Sequence, residues 1–178
     1  RTAVSMLALH DPDGEDNSLE AARRKALRLT AKIPVIIATL YRFRSGLDLI
    51  DVDETKCLSE NFLRLFIGRE IDDEELQAME LMFILHAEHG FNASTFAARV
   101  ASSTLADMYA AVTAAIGTLQ GHLHGGANQR VMQMLTEIGD PAEVDAYIDG
   151  LLSAGEKVMG FGHRVYRVED PRAKHLRK

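Results

Sequence analysis

Four histidines lie beside glycine-containing breaks in the helical pattern of this chain: His89, His122, His124 and His163. Histidine donates or accepts a proton near neutral pH, and flanking glycines let ring and backbone approach a ligand closely. Taken singly, each is equally well explained as a hydrogen-bonded structural histidine, because the sequence does not show what its ring nitrogens bind. Their shared placement beside loops favours a site for acid–base chemistry.

Metal binding and nucleophilic catalysis fit the sequence poorly. His86 and His89 are spaced as His-x-Glu-His, whereas zinc peptidases use His-Glu-x-x-His or His-x-x-Glu-His. The single cysteine, Cys57, excludes a zinc site built from several cysteines, and no serine lies in a Gly-x-Ser-x-Gly turn. The sequence therefore predicts no metal site, and Gly160-Phe161-Gly162 lacks the strand and third glycine of a dinucleotide-binding motif.

Apolar residues recur every three or four positions along most of the chain, which is typical of helices with one buried face. No alternating run of strand length is present, so the predicted fold class is all-α. Asn17 or Ser18 is the expected cap of the first long helix, which Pro34 should kink or divide. Nine alanines between Ala93 and Gly117 predict one closely packed central helix. The predicted helices are 19–44, 59–67, 72–87, 93–117, 127–138 and 141–152, followed by a helix start at Asp170-Pro171.

Composition indicates a soluble globular protein of one or two domains, with 178 residues and 47% hydrophobic side chains. The apolar stretches at 35–41 and 81–85 are far shorter than the roughly 20 residues of a membrane span. With one cysteine there is no internal disulfide, so the predicted compartment is the cytoplasm. The net charge of −6 argues against nucleic-acid binding, although six basic and two acidic residues after residue 160 form a local patch that attracts anions.

Three separated segments resemble the signature regions of the citrate synthase family, which includes 2-methylcitrate synthases. They are 86–96 (HAEHGFNASTF), 121–128 (GHLHGGAN) and 160–167 (GFGHRVYR), the last followed by Asp170-Pro-Arg172. They occur in the family's order and at its spacing, and the resemblance extends over essentially the whole chain. It implies the family's multi-helical fold, with 1–120 in a large domain and 121–178 in the first part of a small domain that binds CoA.

The resemblance also implies a reaction in which an acyl-CoA forms an enolate that attacks oxaloacetate, followed by thioester hydrolysis. His124 matches the histidine that donates a hydrogen bond to the enolate oxygen, and His163 matches the one that polarises and protonates the oxaloacetate ketone. His89 and Arg172 match residues that hold oxaloacetate, and Asn92 and Ser94 match supporting residues. The implied CoA-binding residues are Val158, Gly160, Phe161, Gly162 and Arg167. The acyl-CoA is a substrate, and no cofactor is expected.

Departures from the family pattern shape the remaining expectations. The aspartate that removes the α-proton in the family lies beyond Lys178, so we expect this chain to be an incomplete piece that is inactive alone. His122 stands where the family usually has proline. Glu88 and Phe91 resemble residues of some 2-methylcitrate synthases, which makes propionyl-CoA the alternative substrate. We also expect a homodimer and no membrane association. A non-catalytic helical scaffold remains the alternative from another functional class.

Overall fold

The computed structural model describes residues 1–88, 90–162 and 167–177, and these residues form helices and turns with no strand. This confirms the predicted all-α class. Within the described residues, no helix has both the length and the apolar character needed to cross a membrane. The helices are α1 (Thr2–Met6), α2 (Leu19–Arg44), α3 (Leu58–Ile67), α4 (Asp73–His86), α5 (Ala93–Ser103), α6 (Met108–Leu119), α7 (Gly126–Ile138), α8 (Val144–Ser153) and α9 (Ala173–Leu176), with 3₁₀ turns at Leu7–His10 and Pro141–Glu143.

The long helix α2 begins as predicted and continues through Pro34. The Ser18 hydroxyl accepts a hydrogen bond from the Ala21 amide at 3.3 Å and so caps the helix. Pro34 lacks the amide proton that a helix interior uses, yet it does not divide this 26-residue helix. Leu29 and Ala38, on either side of the proline, are buried, and we attribute the continuity of the helix to this packing.

A buried cluster joins the beginning of the chain to α2 and α6. Val4, Leu29 and Tyr109 form its centre, and Ile33 and Val112 pack against them. The Tyr109 hydroxyl donates a hydrogen bond to the Asp11 carboxylate, whose side chain is completely buried. Arg28 completes the group by donating to Asp11 at 2.7 Å and to Asp13 at 2.6 Å. The buried negative charge is therefore paired and hydrogen-bonded, as burial of a carboxylate requires.

Helices α3 and α4 follow the predicted boundaries closely. Gly68 ends α3 in a left-handed conformation with φ of 88°, which suits glycine. Asp72 and Glu75 form a reciprocal capping box at the start of α4. Helix α4 ends at His86, one residue before the predicted end.

The predicted single helix from Ala93 to Gly117 is wrong, because residues 104–107 divide it into α5 and α6. The hydroxyls of Ser103 and Thr104 bond back to carbonyls of α5, each at 2.7 Å. Leu105 then adopts a φ of 63°, which a helix cannot accommodate. Asp107 begins α6 by accepting a hydrogen bond from the Ala110 amide at 2.9 Å. The division lets α5 and α6 pack extensively against each other.

In the C-terminal third, α7 matches the predicted helix 127–138 to within one residue, whereas α8 begins later than predicted. The predicted helix 141–152 opens as a 3₁₀ turn and becomes α-helical only at Val144. Asp140 caps that turn, with its carboxylate 2.9 Å from the Ala142 amide. Asp170 binds the Arg172 amide in the same way, and α9 begins one residue later, at Ala173.

Candidate active site

The glycine-rich turn between α6 and α7 carries His124. The His124 amide donates to the Gly121 carbonyl at 2.9 Å, and the Gly125 amide donates to the Leu119 carbonyl at 3.0 Å. A β-carbon added to Gly125 would lie 2.3 Å from that same carbonyl oxygen. Only glycine fits this position, because the turn folds directly onto the end of α6.

Ser94 is fixed at the start of α5 by the cap of that helix. The Asn92 side chain accepts hydrogen bonds from the Ser94 amide at 2.9 Å and the Thr95 amide at 3.1 Å. The cap orients the first turn of α5 so that the Ser94 hydroxyl lies 2.8 Å from Nε2 of His124. Two of the residues singled out in the sequence, 30 positions apart, are thus in direct contact.

The Ser94 hydroxyl also constrains where the proton of His124 resides. Its oxygen lies 3.1 Å from the Ala115 carbonyl, to which it can only donate. A hydroxyl has one proton, so when Ser94 donates to Ala115 it must accept from Nε2–H of His124. When the hydroxyl proton turns to Nε2 instead, a neutral ring carries its proton on Nδ1. The rotation of the Ser94 hydroxyl therefore determines which neutral tautomer of His124 its hydrogen bond favours.

Arg172 reaches the site from the C-terminal segment. Its Nη2 donates to Asp170 Oδ2 at 2.7 Å and its Nε donates to Asp170 Oδ1 at 3.0 Å. Its Nη1 donates to the Leu85 carbonyl, in the last turn of α4, at 3.3 Å. The guanidinium is therefore held between its own segment and α4.

A cleft of about 730 Å³ brings these groups together. Its polar lining comes from Asn92, Ser94, His124, Asn128, His86 and Arg172, and its apolar lining comes from Ala115, Ile116, Leu119 and Leu123. The combination of hydrogen-bond donors with one apolar wall is typical of a small-molecule site. None of the described residues that line the cleft is an aspartate or glutamate.

The expected CoA-binding residues lie apart from the residues that line this cleft. Val158 and Phe161 line a separate apolar cleft of about 460 Å³, together with side chains of α7 and α8 such as Leu135 and Ile148. Gly160 and Gly162 have φ of 88° and 80°, so the loop uses the backbone freedom of glycine at both positions. Arg167 is exposed.

Two of the predicted site residues, His89 and His163, lie outside the described residues. Conversely, sequence reasoning missed His86 and Asn128 as residues lining the cleft, and it interpreted Asp170 only as a helix cap. His86 could have been noticed from its position in the first signature segment. Among the described residues, no group of three or more His, Cys, Asp or Glu side chains is placed to hold a metal ion.

Comparison with known proteins gives the same family over the full sequence. A family model described as citrate synthase, C-terminal domain, matches residues 1–178. The chain is 50% identical over its whole length to citrate synthase 2 of Bacillus subtilis, of which it covers 48%. It is 48% identical over its whole length to a 2-methylcitrate synthase of Mycobacterium tuberculosis, of which it covers 45%. The chain thus spans about half the length of the curated relatives it matches.

Solved structures of similar fold are also citrate synthases. Citrate synthase from Pyrobaculum aerophilum is 39% identical and superimposes with a TM-score of 0.85 over 98% of this chain and 46% of its own. Citrate synthase from Thermoplasma acidophilum was solved in a ternary complex with carboxymethyl coenzyme A and oxaloacetate. It is 35% identical, with a TM-score of 0.82 over 97% of this chain and 45% of its own.

Proposed function

This chain belongs to the citrate synthase family, and we propose that the whole protein condenses acetyl-CoA with oxaloacetate to give citrate and CoA. The observation that carries the proposal is the contact between Ser94 and Nε2 of His124, at 2.8 Å, in a cleft that Arg172 also lines. A similar protein was solved with oxaloacetate and a CoA analogue, which supports this pair of substrates.

His124 is proposed to stabilise the enolate of the acyl-CoA. Removing the α-proton of a thioester places negative charge on the carbonyl oxygen, and a hydrogen-bond donor fixed beside that oxygen lowers the barrier. With Nε2 occupied by Ser94, Nδ1 is the ring nitrogen for this task. When the Ser94 hydroxyl donates to Nε2, the proton of a neutral ring lies on Nδ1, where it can be donated to the enolate oxygen.

Arg172 is proposed to bind a carboxylate of oxaloacetate. A planar guanidinium suits this task because it binds a carboxylate through two parallel hydrogen bonds. The resemblance assigns His89 to the same ligand and His163 to the oxaloacetate ketone, and we retain both assignments as proposals. The replacement Arg172→Leu should therefore weaken oxaloacetate binding before it affects the chemical step.

The acyl-CoA is proposed to enter between the apolar wall of the cleft and the loop at 158–162. Ala115, Ile116, Leu119 and Leu123 offer an uncharged surface for the acyl group beside His124. Val158, Gly160, Phe161, Gly162 and Arg167 are proposed to hold the CoA portion. On this proposal 1–120 belongs to a large domain and 121–178 to the beginning of a CoA-binding domain.

The α-proton acceptor is proposed to come from outside the described residues that line the cleft. A general base needs a group within hydrogen-bond reach of the proton it removes, and those residues include no carboxylate. The family aspartate that the resemblance implies would fill this role. We further propose that the whole protein is a cytoplasmic homodimer.

A 2-methylcitrate synthase that uses propionyl-CoA is the second candidate. The identities to a citrate synthase and to a 2-methylcitrate synthase, 50% and 48%, do not separate the two activities. The test measures thiol release by the whole protein with oxaloacetate and either acetyl-CoA or propionyl-CoA, and identifies the products. A preference for propionyl-CoA would favour the second candidate, and no oxaloacetate-dependent thiol release with either thioester would contradict both.

A further inference from the structure

Asp170 has no part in the proposed chemistry, but its carboxylate forms an ion pair with Arg172, which lines the cleft. Its two carboxylate oxygens accept hydrogen bonds from Nε and Nη2 of Arg172, at 3.0 and 2.7 Å. Oδ1 also accepts a hydrogen bond from the Arg172 amide at 2.9 Å. One carboxylate therefore binds both the backbone and the guanidinium of the same arginine.

These contacts fix the guanidinium with respect to the wall of the cleft. An arginine side chain has many rotamers, and a side-on ion pair to a residue two positions away selects among them. The bond from Nη1 to the Leu85 carbonyl, at 3.3 Å, then sets the distance of the guanidinium from the end of α4. His86, the next residue of α4, lines the same cleft as Arg172.

We propose that Asp170 is a positioning residue for oxaloacetate binding, because it holds the Arg172 guanidinium in the orientation that receives the substrate carboxylate. This proposal rests on the proposed function. It adds to that function a residue that would not touch the substrate and would act through Arg172.

Two other roles for Asp170 predict different results. If Asp170 were only a cap of the following turn, asparagine would replace it without loss, because its amide oxygen accepts the same backbone hydrogen bond. If Asp170 were chiefly a competing anion, its neutralisation would strengthen the binding of dianionic oxaloacetate. The positioning role predicts weaker binding, because the NH2 group of asparagine takes the place of one carboxylate oxygen and cannot accept the hydrogen bond from Nη2 of Arg172.

The test compares Asp170→Asn with Asp140→Asn in the whole protein. Asp140 is a matched control because it also precedes a proline and accepts a hydrogen bond from the amide two residues later at 2.9 Å. Oxaloacetate binding is measured by calorimetry without acyl-CoA, and KM and kcat are measured with acetyl-CoA. We expect Asp170→Asn to raise the dissociation constant and the KM for oxaloacetate about tenfold, the effect of losing one hydrogen bond between charged groups. The kcat at saturating oxaloacetate should change less than about twofold, and Asp140→Asn should leave all three values unchanged.

A double-mutant cycle tests whether Asp170 acts through Arg172. Lysine has no planar fork, so Asp170→Asn should weaken oxaloacetate binding much less in an Arg172→Lys protein. Equal weakening in both backgrounds, unchanged binding in Asp170→Asn, or tighter binding would each overturn the proposal while leaving the proposed function standing. An unmutated protein that binds no oxaloacetate would overturn the proposed function and this proposal with it.

Discussion

His124 has one ring nitrogen committed to Ser94, so its proposed catalytic work depends on the other. We expect His124→Ala to lower kcat about 100- to 1,000-fold, the size of effect seen when one oxyanion donor is removed. The affinity for oxaloacetate should stay within about twofold, because Arg172 and not His124 is proposed to bind that carboxylate. Steady-state kinetics and calorimetry of the whole protein check both values. A loss confined to oxaloacetate affinity would contradict the assignment of roles.

Ser94 provides a finer test, because its removal leaves the imidazole in place. We expect Ser94→Ala to lower kcat about three- to tenfold, corresponding to the loss of one hydrogen bond that orients the ring. The control is Ser103→Ala at the other end of α5, where the hydroxyl bonds only to the Val100 carbonyl of the same helix among the contacts described. That variant should have the kcat of the unmutated protein. Equal rates for both variants would show that the Ser94 contact does not assist the reaction.

At the scale of single residues, the candidate site residues could be predicted from the sequence, but few of their hydrogen-bond partners could. The resemblance marked Ser94 as a supporting residue, but no local pattern shows its contact with His124, because the two residues are 30 positions apart and a helix boundary at 104–107 lies between them. Asp170 shows the opposite problem. Its position before a proline correctly indicated a backbone cap, and that local explanation concealed its ion pair with Arg172.

At the scale of elements, helices with local start and stop signals were predictable. Ser18 and Gly68 mark their helix ends in the sequence as they do in the structure. The division between α5 and α6 was missed because the apolar period runs on through it. The local signal was present in the hydroxyls of Ser103 and Thr104 and in Asp107, which compete with helical hydrogen bonding or begin a new helix.

The turn that carries His124 should be intolerant of a side chain at Gly125. We expect Gly125→Ala to reduce the free energy of unfolding by about 1–3 kcal/mol, as overpacking against fixed atoms does, because its β-carbon would lie 2.3 Å from the Leu119 carbonyl oxygen. Gly150→Ala is the control, since Gly150 lies inside α8 and its added β-carbon would meet no atom within 4 Å. That variant should be more stable by about 0.5–1 kcal/mol. Urea unfolding measures the change in unfolding free energy, which should be negative for Gly125→Ala and positive for Gly150→Ala. Equal destabilisation of the two variants would contradict the proposed clash at Gly125.

The hydrogen bonds of the buried Asp11 carboxyl predict how the free energy of unfolding depends on pH. Burial alone would raise the pKa of Asp11, but hydrogen bonds from Tyr109, the Asp13 backbone and Arg28 lower it overall below 3.8. A carboxyl whose pKa is lower in the folded state stabilises the fold above its unfolded pKa, and this contribution is lost as the pH falls through the folded value. We therefore expect the free energy of unfolding to decrease below about pH 4.

Denaturant unfolding between pH 7 and pH 2 measures this acid dependence. Asp11→Asn should be less stable than the unmutated protein at pH 7 and should show a shallower loss of stability below pH 4. The exposed Asp149, in α8, provides the control, and Asp149→Asn should follow the curve of the unmutated protein. If Asp11→Asn lost as much stability below pH 4 as the unmutated protein, the Asp11 carboxyl would not be the cause of the pH dependence.

For the whole molecule, the proposed homodimer would cover apolar side chains that are exposed on α4 and α5 of a single chain. Ile84 is 69% exposed and Val100 is 51% exposed, although both lie in regular helices. We expect the whole protein to sediment as a homodimer, and Ile84→Lys or Val100→Lys to shift it towards the monomer, because a buried unpaired charge is costly. Leu152→Lys on α8 is the control and should remain dimeric. A monomeric unmutated protein at micromolar concentration would contradict the proposed dimer.

The last prediction concerns what the 178 residues can do by themselves. They bring together His124, Ser94 and Arg172, but none of the described residues lining the cleft is an aspartate or glutamate, and Asp170 is bound to Arg172. A general base contributes about 10² to 10⁴ in rate, and catalytic groups that act as a unit lose most of their effect when one is absent. We therefore expect the 178-residue chain, expressed alone, to release no thiol from acetyl-CoA above background in the presence of oxaloacetate. Bacillus subtilis citrate synthase 2 serves as the positive control, and circular dichroism establishes that the chain is helical under the assay conditions. A rate comparable to the control would place the base within these residues and would contradict the proposal that it comes from elsewhere.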